Sequence, residues 1–538
     1  MRAMTRAISR QFHIPEPVLA VIRALEQAGF SAYVVGGSVR DLCLGRGPED
    51  WDVATNARPE EIQKIFPESF YANKFFTVTV QTGAEDPRLA EIEVTTFRAE
   101  GKYEDFRHPE DVKPAKTIEE DLSRRDFTVN AIALGVDAHG AVVLVDPFGG
   151  EADLQTGVIR AVGDADARIG EDALRMLRAA RFAAALGFSL ESKTREAIKR
   201  HAGLLRAISK ERIRDEFSKL IAIEDPESWN PGPEYGMKTD VPGKPAAHPA
   251  EEVRRIGASR AWQGIELLRE LELLKEFLPE LEEGVGCTQN KHHVYTVWEH
   301  NLRALDYAAR QKWTPLVRIA ALFHDIAKPR AKRGEGPDST FYGHDVSGAK
   351  MSTEILGRLR YPDAFIETVA KLVRWHLFRY DYDADEVQTT DSAIRRLIRN
   401  IGEESIEDLV RVRMCDRIGS GVPKAVPYRL RHFQFRVEKV LREHEAVRVT
   451  MLNIRGDEIM QLLGIGPGPK VGHVLNALLE EVLDDPKKNE KEYLTARAKE
   501  LGALSDIELA ALREKAETRV ELLDDQREQE IKGKYRVR

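Results

Sequence analysis

The stretch VVGGSVRDLCLGRGPEDWD, Val34 to Asp52, sets two glycines after an apolar run and closes on two aspartates around a tryptophan. If DWDVAT is a strand, its side chains alternate, so Asp50 and Asp52 project together while Trp51 and Val53 face the core. Two carboxylates on one face form a hard oxygen site suited to a divalent cation such as Mg²⁺. Gly36 and Gly37 allow a sharp turn into a helix, with Ser38 as its expected N-cap, and the open backbone N–H groups there can receive phosphate oxygens. Taken singly, a Gly-Gly turn or a D-x-D is common, and the latter is often a solvated turn. Their order within one short stretch points to a phosphate cradle beside a metal platform. EIEVTTFR adds Glu91 and Glu93 on one face, either a third carboxylate or ordinary exposed strand glutamates. DLSRRDFTVNAIA offers Arg124 and Arg125 for phosphate charge, and Asp126 and Asn130 for sugar hydroxyls or phosphate, unless the run is a surface salt-bridge cluster.

In EDALRMLRAARF, read as one helix, Asp172, Arg175 and Arg178 share a face. A carboxylate accepts hydrogen bonds and a guanidinium only donates them. Cytosine and adenine both carry an amino donor next to a ring-nitrogen acceptor, and uracil and guanine carry the reverse. Asp172 and Arg175 can therefore admit CTP and ATP and reject UTP and GTP. The alternative is an intrahelical ion pair worth about 0.3–0.5 kcal/mol. A second constellation lies downstream. HHVYTVWEHNL carries His293 and His300, ALFHDIAKP carries His324 and Asp325, FYGHDVSGA carries His344, LVRWHLF carries His376, and RVRMCDRIG carries Asp416. One histidine in an apolar helix is usually a buried, satisfied ring. Several, with one preceding an aspartate, point to imidazole-and-carboxylate ligation of a transition metal.

These groups need elements to position them. AYVVGG, DWDVAT, FFTVTVQTG, AEIEVTTF and GAVVLVDP read as short strands between Ala32 and Val145. After Asp146 apolar residues recur at spacings of three and four almost to the end, the pattern of amphipathic helices. The expected fold class is α+β: a small mixed-sheet head followed by a long all-α remainder. With 538 residues the chain exceeds one core. Six prolines between Pro226 and Pro249 exclude a regular helix or central strand there, so that segment is expected to be a loop or insertion. The expected organisation is head 1–150, neck 151–225, insertion and helical body 226–285, metal-ligand domain 286–420 and helical tail 421–538. The final highly charged stretch is expected to be a fraying helix. MRAMTRAISRQF is basic, but it is short enough to read as an ordinary N-terminal tail rather than a targeting segment. No apolar run is long enough to span a bilayer, and three scattered cysteines without a CxxC pair argue for a reducing, cytoplasmic setting. The net charge of −8 does not advertise a nucleic-acid partner, yet Arg411 to Arg448 carries ten Lys/Arg against four Asp/Glu with Tyr428, Phe433 and Phe435 interleaved. Such a patch is either a solvated face or a phosphate-neutralising surface.

The ordered motifs GGSVRD, DWD, RRDFTVNA, EDALRMLRAARF and ISKERIRDEF resemble the bacterial and eukaryotic tRNA nucleotidyltransferase and poly(A) polymerase family, with its polymerase-beta-like head. The resemblance runs from Val34 to about Leu220. It implies that Asp50 and Asp52 hold two Mg²⁺. It also implies that Gly36, Gly37, Ser38, Arg40, Arg98, Arg124, Arg125, Asp126, Asn130, Asp172, Arg175, Arg178 and Arg181 bind the nucleotide. FRAEGKYEDFRHPEDV, which contains Arg98, matches the family's flexible loop. The order H…HD…H…H…D resembles HD-superfamily phosphohydrolases. That likeness implies His300, His324, Asp325 and Asp416 as core ligands and His344 and His376 for a second metal, with Ni, Mn, Fe or Co as candidates; His293 falls outside the motif. GIGPGPKVG, with Lys470, resembles a backbone-phosphate contact or is a simple helix–turn–helix. The implied activity is addition of CCA to tRNA 3′ ends from CTP and ATP, with phosphohydrolase activity on RNA ends at the HD site. Alternatives are an adenylate-only or poly(A)-adding enzyme, and an HD phosphohydrolase with an RNA-binding head.

Overall fold

The computed structural model describes residues 5–7, 12–72, 76–99, 113–137, 139–226, 257–290, 294–378, 390–445 and 452–537. The proline-rich segment expected as an insertion, most of the loop after Arg98, and His293 lie outside the described residues. The chain divides into two compact units, Met1–His376 with Arg411–Pro423, and Leu377–Val410 with Lys424–Arg538.

The first unit begins with the sheet. β1 (Thr5–Ala7), β2 (Ala32–Val35), β3 (Asp52–Thr55), β4 (Ser69–Ala72), β5 (Thr77–Gln81), β6 (Glu91–Thr96), β7 (Ala133–Val136) and β8 (Val142–Val145) form one sheet in the order β1-β8-β7-β2-β3-β6-β5-β4. A strand at Thr5–Ala7 was not expected from so short and basic a start. β3 and β6 run parallel, with Asp52 opposite Glu93; β2 and β3 run antiparallel, with Val35 opposite Asp52. The β-branched residues make this possible: Val34, Val53, Val78, Ile92 and Val94 are fully buried, as expected for a pleated, apolar-faced surface. α1 (Glu16–Gln27) presents Val18, Val21, Ile22 and Leu25 as one buried stripe. α2 (Gly37–Cys43) follows β2 directly, and α3 (Ile118–Ser123) starts at Thr117, whose side chain caps Glu120 N–H.

After the sheet the unit is mainly helical, apart from the short parallel pair Val158–Ile159 and Ser189–Leu190. α4 (Ala165–Glu171), α5 (Leu174–Leu186), α6 (Lys210–Ile221) and α7 (Arg260–Glu270) follow the sheet. α8 (Val297–Arg310) opens on a Thr296/Glu299 capping box and α9 (Pro315–Phe323) on a Thr314 cap. α10 (Lys328–Ala331), α11 (His344–Arg358) and α12 (Asp363–Trp375) complete the metal-ligand region with Asp416 of α14 (Ile406–Gly419).

The second unit holds α13 (Asp391–Ile401), α15 (Tyr428–Glu445), α16 (Gly456–Leu463), α17 (Pro469–Asp484), α18 (Lys491–Gly502) and α19 (Asp506–Tyr535). Ile459, Val474, Leu478, Leu494, Ala498 and Leu509 form its core. The final charged stretch is thus a continuous helix of 30 residues, docked by Ile531 against Phe435. Much of the basic stretch is paired internally: Arg436 with Asp391, Lys439 with Glu528, and Arg442 with Glu438. In GIGPGPKVG, Lys470 donates to Leu504 O at 3.2 Å, bracing the turn before α19. Among the described residues no helix is long and apolar enough to cross a membrane.

Candidate active site and candidate metal centre

A cleft of about 420 Å³ opens on the head, lined by Gly36, Gly37, Asp52, Glu93 and Arg98 and also by Asp172 and Arg175. Gly36 takes a φ of 77°, and a Cβ there would stand 3.0 Å from Arg125 Nη1 and 3.5 Å from Asp52 Oδ2. Glycine is what lets the guanidinium and the carboxylate close on the turn. Gly36, not Ser38, is the residue preceding α2. Ser38 is buried and its hydroxyl donates to Val35 O at 3.0 Å, so it braces the turn from inside instead of capping the helix.

β3 begins at Asp52, so Asp50 lies in the bend before the strand, exposed and outside the cleft lining. Trp51 is buried, as alternation required. The carboxylate beside Asp52 in the cleft is Glu93, placed there by the parallel register of β3 and β6. Burial, then the Glu93 charge, push the Asp52 carboxyl up to about 6, with Asp50 adding to the shift and Arg125 opposing it. An acidic group whose ionisation is opposed by a neighbouring carboxylate, in a cleft of oxygen donors, suits a hard divalent cation.

The arginines are held by anions that sequence reading passed over. Asp121, 1% exposed, receives Arg124 at 2.8 Å and Arg125 at 3.4 Å, and accepts from Arg98 N–H at 3.1 Å. Burial would raise its carboxyl, but Arg124 and Arg125 outweigh that and hold it below the usual range. The run EDLSRR contained the signal, an acid three and four residues before two arginines. Arg40 forks onto Asp41 at 3.0 Å and donates to Asn130 Oδ1 at 3.1 Å. Asn130 in turn donates to Asp126 Oδ1 at 3.1 Å, and Asp126 Oδ2 accepts from Arg178 Nε at 2.8 Å. Asp126 and Asn130 therefore belong to this network, and both also line the cleft.

EDALRMLRAARF is not one helix. α4 ends at Glu171, Asp172 is extended (φ −140°, ψ 104°), and α5 begins at Leu174. Asp172 Oδ1 accepts from Leu174 N–H at 3.0 Å, the kind of N-terminal bond aspartate makes well. Its Oδ2 accepts from Arg212 of α6 at 2.7 Å. Arg175 pairs with Glu171, not Asp172, at 2.5 Å, and donates to Arg168 O at 2.7 Å and Arg124 O at 3.0 Å. Both nevertheless line the cleft. Arg178 lines it as well, while Arg181 does not; Arg181 donates to the buried Glu216 of α6 at 2.6 Å. The two guanidiniums pack on Phe182 at 5.1 and 4.3 Å from its centroid.

The second constellation converges. His300 comes from α8, His324 and Asp325 follow α9, His344 opens α11, His376 follows α12 and Asp416 lies on α14; all six are buried. His300, His324, Asp325 and Asp416 form one potential ligand group, and Asp325, His344 and His376 a second that shares the aspartate. His300 Nε2 and His324 Nε2 are 2.8 Å apart, and His300 Nε2 is 3.0 Å from Asp325 Oδ2. The rings are oriented from behind: Nδ1 of His324, His344 and His376 contact Ala321 O, Phe341 O and Val373 O at 2.7, 2.6 and 2.6 Å. Donation to those carbonyls turns the Nε2 lone pairs into the site. Nε2 of His344 and of His376 lie 3.2 and 3.6 Å from Asp325 Oδ1 in a geometry that forms no hydrogen bond. Buried, unsatisfied ring nitrogens and carboxylate oxygens fit a bound metal, and the mixed N/O set suits a transition ion. Burial raises the cost of the Asp325 charge, but Lys328 and His324 hold its carboxyl well below the usual range; burial pulls His376 down, keeping it neutral. Gly419 permits the close packing: a Cβ would stand 2.8 Å from His300 O.

Residues 32–160 match the Poly A polymerase head domain. That stretch of the chain is similar to the poly(A) polymerase head family. Behind that head, residues 187–229 match the probable RNA and SrmB-binding site of polymerase A, and residues 297–418 match the HD domain. The CCA-adding enzyme of Geobacillus thermodenitrificans is 47% identical over 249 residues, 46% of this chain and 58% of that protein. The CCA-adding enzyme of Lactobacillus helveticus is 50% identical over 203 residues, 38% of this chain and 49% of that protein. The chain thus spans about half the length of these relatives. Among solved structures, the Bacillus stearothermophilus CCA-adding enzyme in complex with CTP superposes with a TM-score of 0.51 at 26% identity, covering 90% of this chain and 98% of that one.

Proposed function

We propose that this poly(A) polymerase head is a template-independent tRNA nucleotidyltransferase that adds C, C and A to tRNA 3′ ends from CTP and ATP. The observation that carries the reading is one cleft lined by both halves of the chemistry: Asp52 and Glu93 with a glycine turn and arginines, and Asp172 and Arg175. That the relatives described above are CCA-adding enzymes, and that a similar CCA-adding enzyme was solved in complex with CTP, supports CCA addition over adenylate-only addition. Asp52 and Glu93, with Asp50 contributing charge at the rim, would hold Mg²⁺. Bound there, Mg²⁺ supplies orientation of the triphosphate and charge stabilisation at the attacking and leaving oxygens. The glycine turn admits the triphosphate, Arg124 and Arg125 answer its charge from positions fixed by Asp121, and Asp172 accepts the amino group of cytosine or adenine. In this reading residues 1–150 are the catalytic head, 151–225 the neck and 286–420 the HD domain, with the helical tail binding tRNA.

The HD cluster supports a second activity, metal-dependent phosphoester hydrolysis. His300, His324, Asp325 and Asp416, and His344 and His376 with the shared Asp325, would hold transition ions there. Such ions supply a water made nucleophilic at neutral pH. One experiment separates the two sites. Asp52→Asn should abolish nucleotide addition to tRNA lacking its CCA end and leave the content of tightly bound transition metal unchanged. Retained addition in Asp52→Asn protein would remove the polymerising role from this cleft.

A further inference from the structure

The basic stretch that stands out in the sequence is largely answered inside the second unit, where Arg436, Lys439 and Arg442 pair with Asp391, Glu528 and Glu438. Cations that face solvent lie on the neighbouring helix. α13 reads DSAIRRLIRNI, packs against α15, and buries Ile394, Leu397 and Ile401 as one stripe. At about 100° per residue, the opposite arc carries Ser392, Arg395, Arg396, Arg399 and Asn400, all five exposed. Asp391, the helix's one acid, is taken by Arg436. Arg396 and Arg399 have no carboxylate within ion-pair distance among the described residues. The next acids, Glu403 and Glu404, follow the Gly402 that ends the helix, and Glu404 folds back on that glycine.

Residues three apart are neighbours on a helix surface, and like charges there repel. Arg396 and Arg399 stand so, with Arg395 beside them and no acid on the arc, which makes the face a local maximum of positive potential. An anion that spans the two guanidiniums removes a repulsion and adds contacts. Each guanidinium is a planar fork matched to two phosphate oxygens, and Ser392 and Asn400 add neutral donors of the kind that accompany arginine on a nucleic-acid backbone. An anionic membrane also attracts basic helices, but a helix lying in a membrane surface needs an apolar face to insert. That of α13 is already used within the unit. A chain of repeating phosphates is therefore the complement. We propose that the outer face of α13, through Arg396 and Arg399 with Ser392 and Asn400 beside them, grips the sugar–phosphate backbone of the tRNA that the head extends. The inference rests on reading the chain as a tRNA nucleotidyltransferase, and it names the surface of the second unit that meets that partner.

The test titrates full-length protein into fluorescein-labelled tRNA lacking its CCA end and follows anisotropy over a series of KCl concentrations. Two phosphate contacts contribute about 1.4–1.8 to the slope of log K against log salt. Arg396→Ala/Arg399→Ala and Arg396→Gln/Arg399→Gln should each flatten the wild-type slope by about that much. They should also weaken binding at least about tenfold at low salt, with the gap narrowing as salt rises. Alanine and glutamine both favour helix, so α13 stays folded in either pair. Arg396→Lys/Arg399→Lys keeps both charges and should keep the slope. Lys439→Ala/Arg442→Ala removes cations already paired within the unit and should also leave the slope at its wild-type value. An unchanged slope in both neutral pairs, or an equal fall in the Lys439 and Arg442 pair, overturns the assignment. So does wild-type binding to phosphatidylserine vesicles that the neutral pairs lose while their tRNA binding stays as in wild type. A nucleotide-addition assay run alongside separates this surface from the reading beneath it. Addition by wild type with an unmoved slope in the neutral pairs sinks the α13 surface alone. A flattened slope in those pairs, without addition by wild type, sinks the nucleotidyltransferase reading and leaves the RNA-binding face standing.

Discussion

Arg212 reaches from α6 to the break between α4 and α5, where Nη2 donates to Asp172 Oδ2 at 2.7 Å. The other oxygen of Asp172 is held by Leu174 N–H at 3.0 Å. The carboxylate is thus fixed at two points, and Arg212→Ala removes one and leaves the pivot. A hydrogen bond to a charged group is worth about 1.5–3 kcal/mol. The two side chains are 29% and 20% exposed, so solvent screening reduces this to roughly 1–2 kcal/mol. If Asp172 reads the amino group of the incoming base, the loss falls on CTP and ATP and spares UTP and GTP. At about 1.4 kcal/mol per factor of ten, the ratio of kcat/KM for CTP over UTP should fall by about 5- to 30-fold. Single-turnover incorporation of each nucleotide on tRNA lacking CCA measures this directly, and Arg212→Lys should recover part of the ratio. An unchanged ratio alongside a lowered melting temperature would refute the reasoning, because Arg212 would then brace the helix break without setting base choice.

Two other expectations follow from the same geometry. The Asp52 carboxyl, raised from 3.8 to about 6 chiefly by burial and Glu93, favours the protonated form in the fold. Its stabilising contribution is present below about pH 4 and lost as pH rises through about 6, a cost of up to about 3 kcal/mol in metal-free protein. Because Mg²⁺ must displace that proton, its affinity should fall about tenfold per pH unit below about pH 6 and be flat above it. Calorimetric titration of Mg²⁺ across this range checks the slope, and a flat profile would contradict it. Arg318, 2% exposed, donates to Ile221 O and Ile223 O at 2.9 Å and to Trp313 O at 2.8 Å. Arg318→Met strands these carbonyls at about 1–3 kcal/mol each, so chemical denaturation should show a loss of at least about 3 kcal/mol; less than about 1 kcal/mol would show that water replaces the guanidinium.

What was legible in the sequence was whatever local chemistry dictates. Period-two alternation placed Trp51 in the core with Asp52 turned away from it, and the Gly-Gly turn announced itself because only glycine tolerates that approach of Arg125. The HD ligands were legible for a related reason: histidines and aspartates set within apolar helices are costly to bury without a shared purpose, and all six meet. What escaped depends on pairing between distant segments. Glu93 joins Asp52 only through the parallel register of β3 and β6, and no spacing rule distinguishes it from Glu91, which instead pairs with Gln81 at 2.9 Å. Asp172 was placed on a continuous helix because the apolar period runs through it; the backbone breaks where an aspartate can accept from Leu174 N–H. Arg212, Glu216 and Gln289 act on partners 40, 35 and 39 residues away, separations at which a sequence pattern carries no register.

The central claim is that the cleft around Asp52 transfers nucleotides and that Asp172 and Arg175, which also line it, select them. Purified protein, given tRNA lacking its terminal CCA and the four nucleoside triphosphates singly and in combination, should extend the 3′ end by C, C and A and then stop, with Mg²⁺ required. Extension by U or G as readily as by C and A, or no extension with any nucleotide, would contradict it.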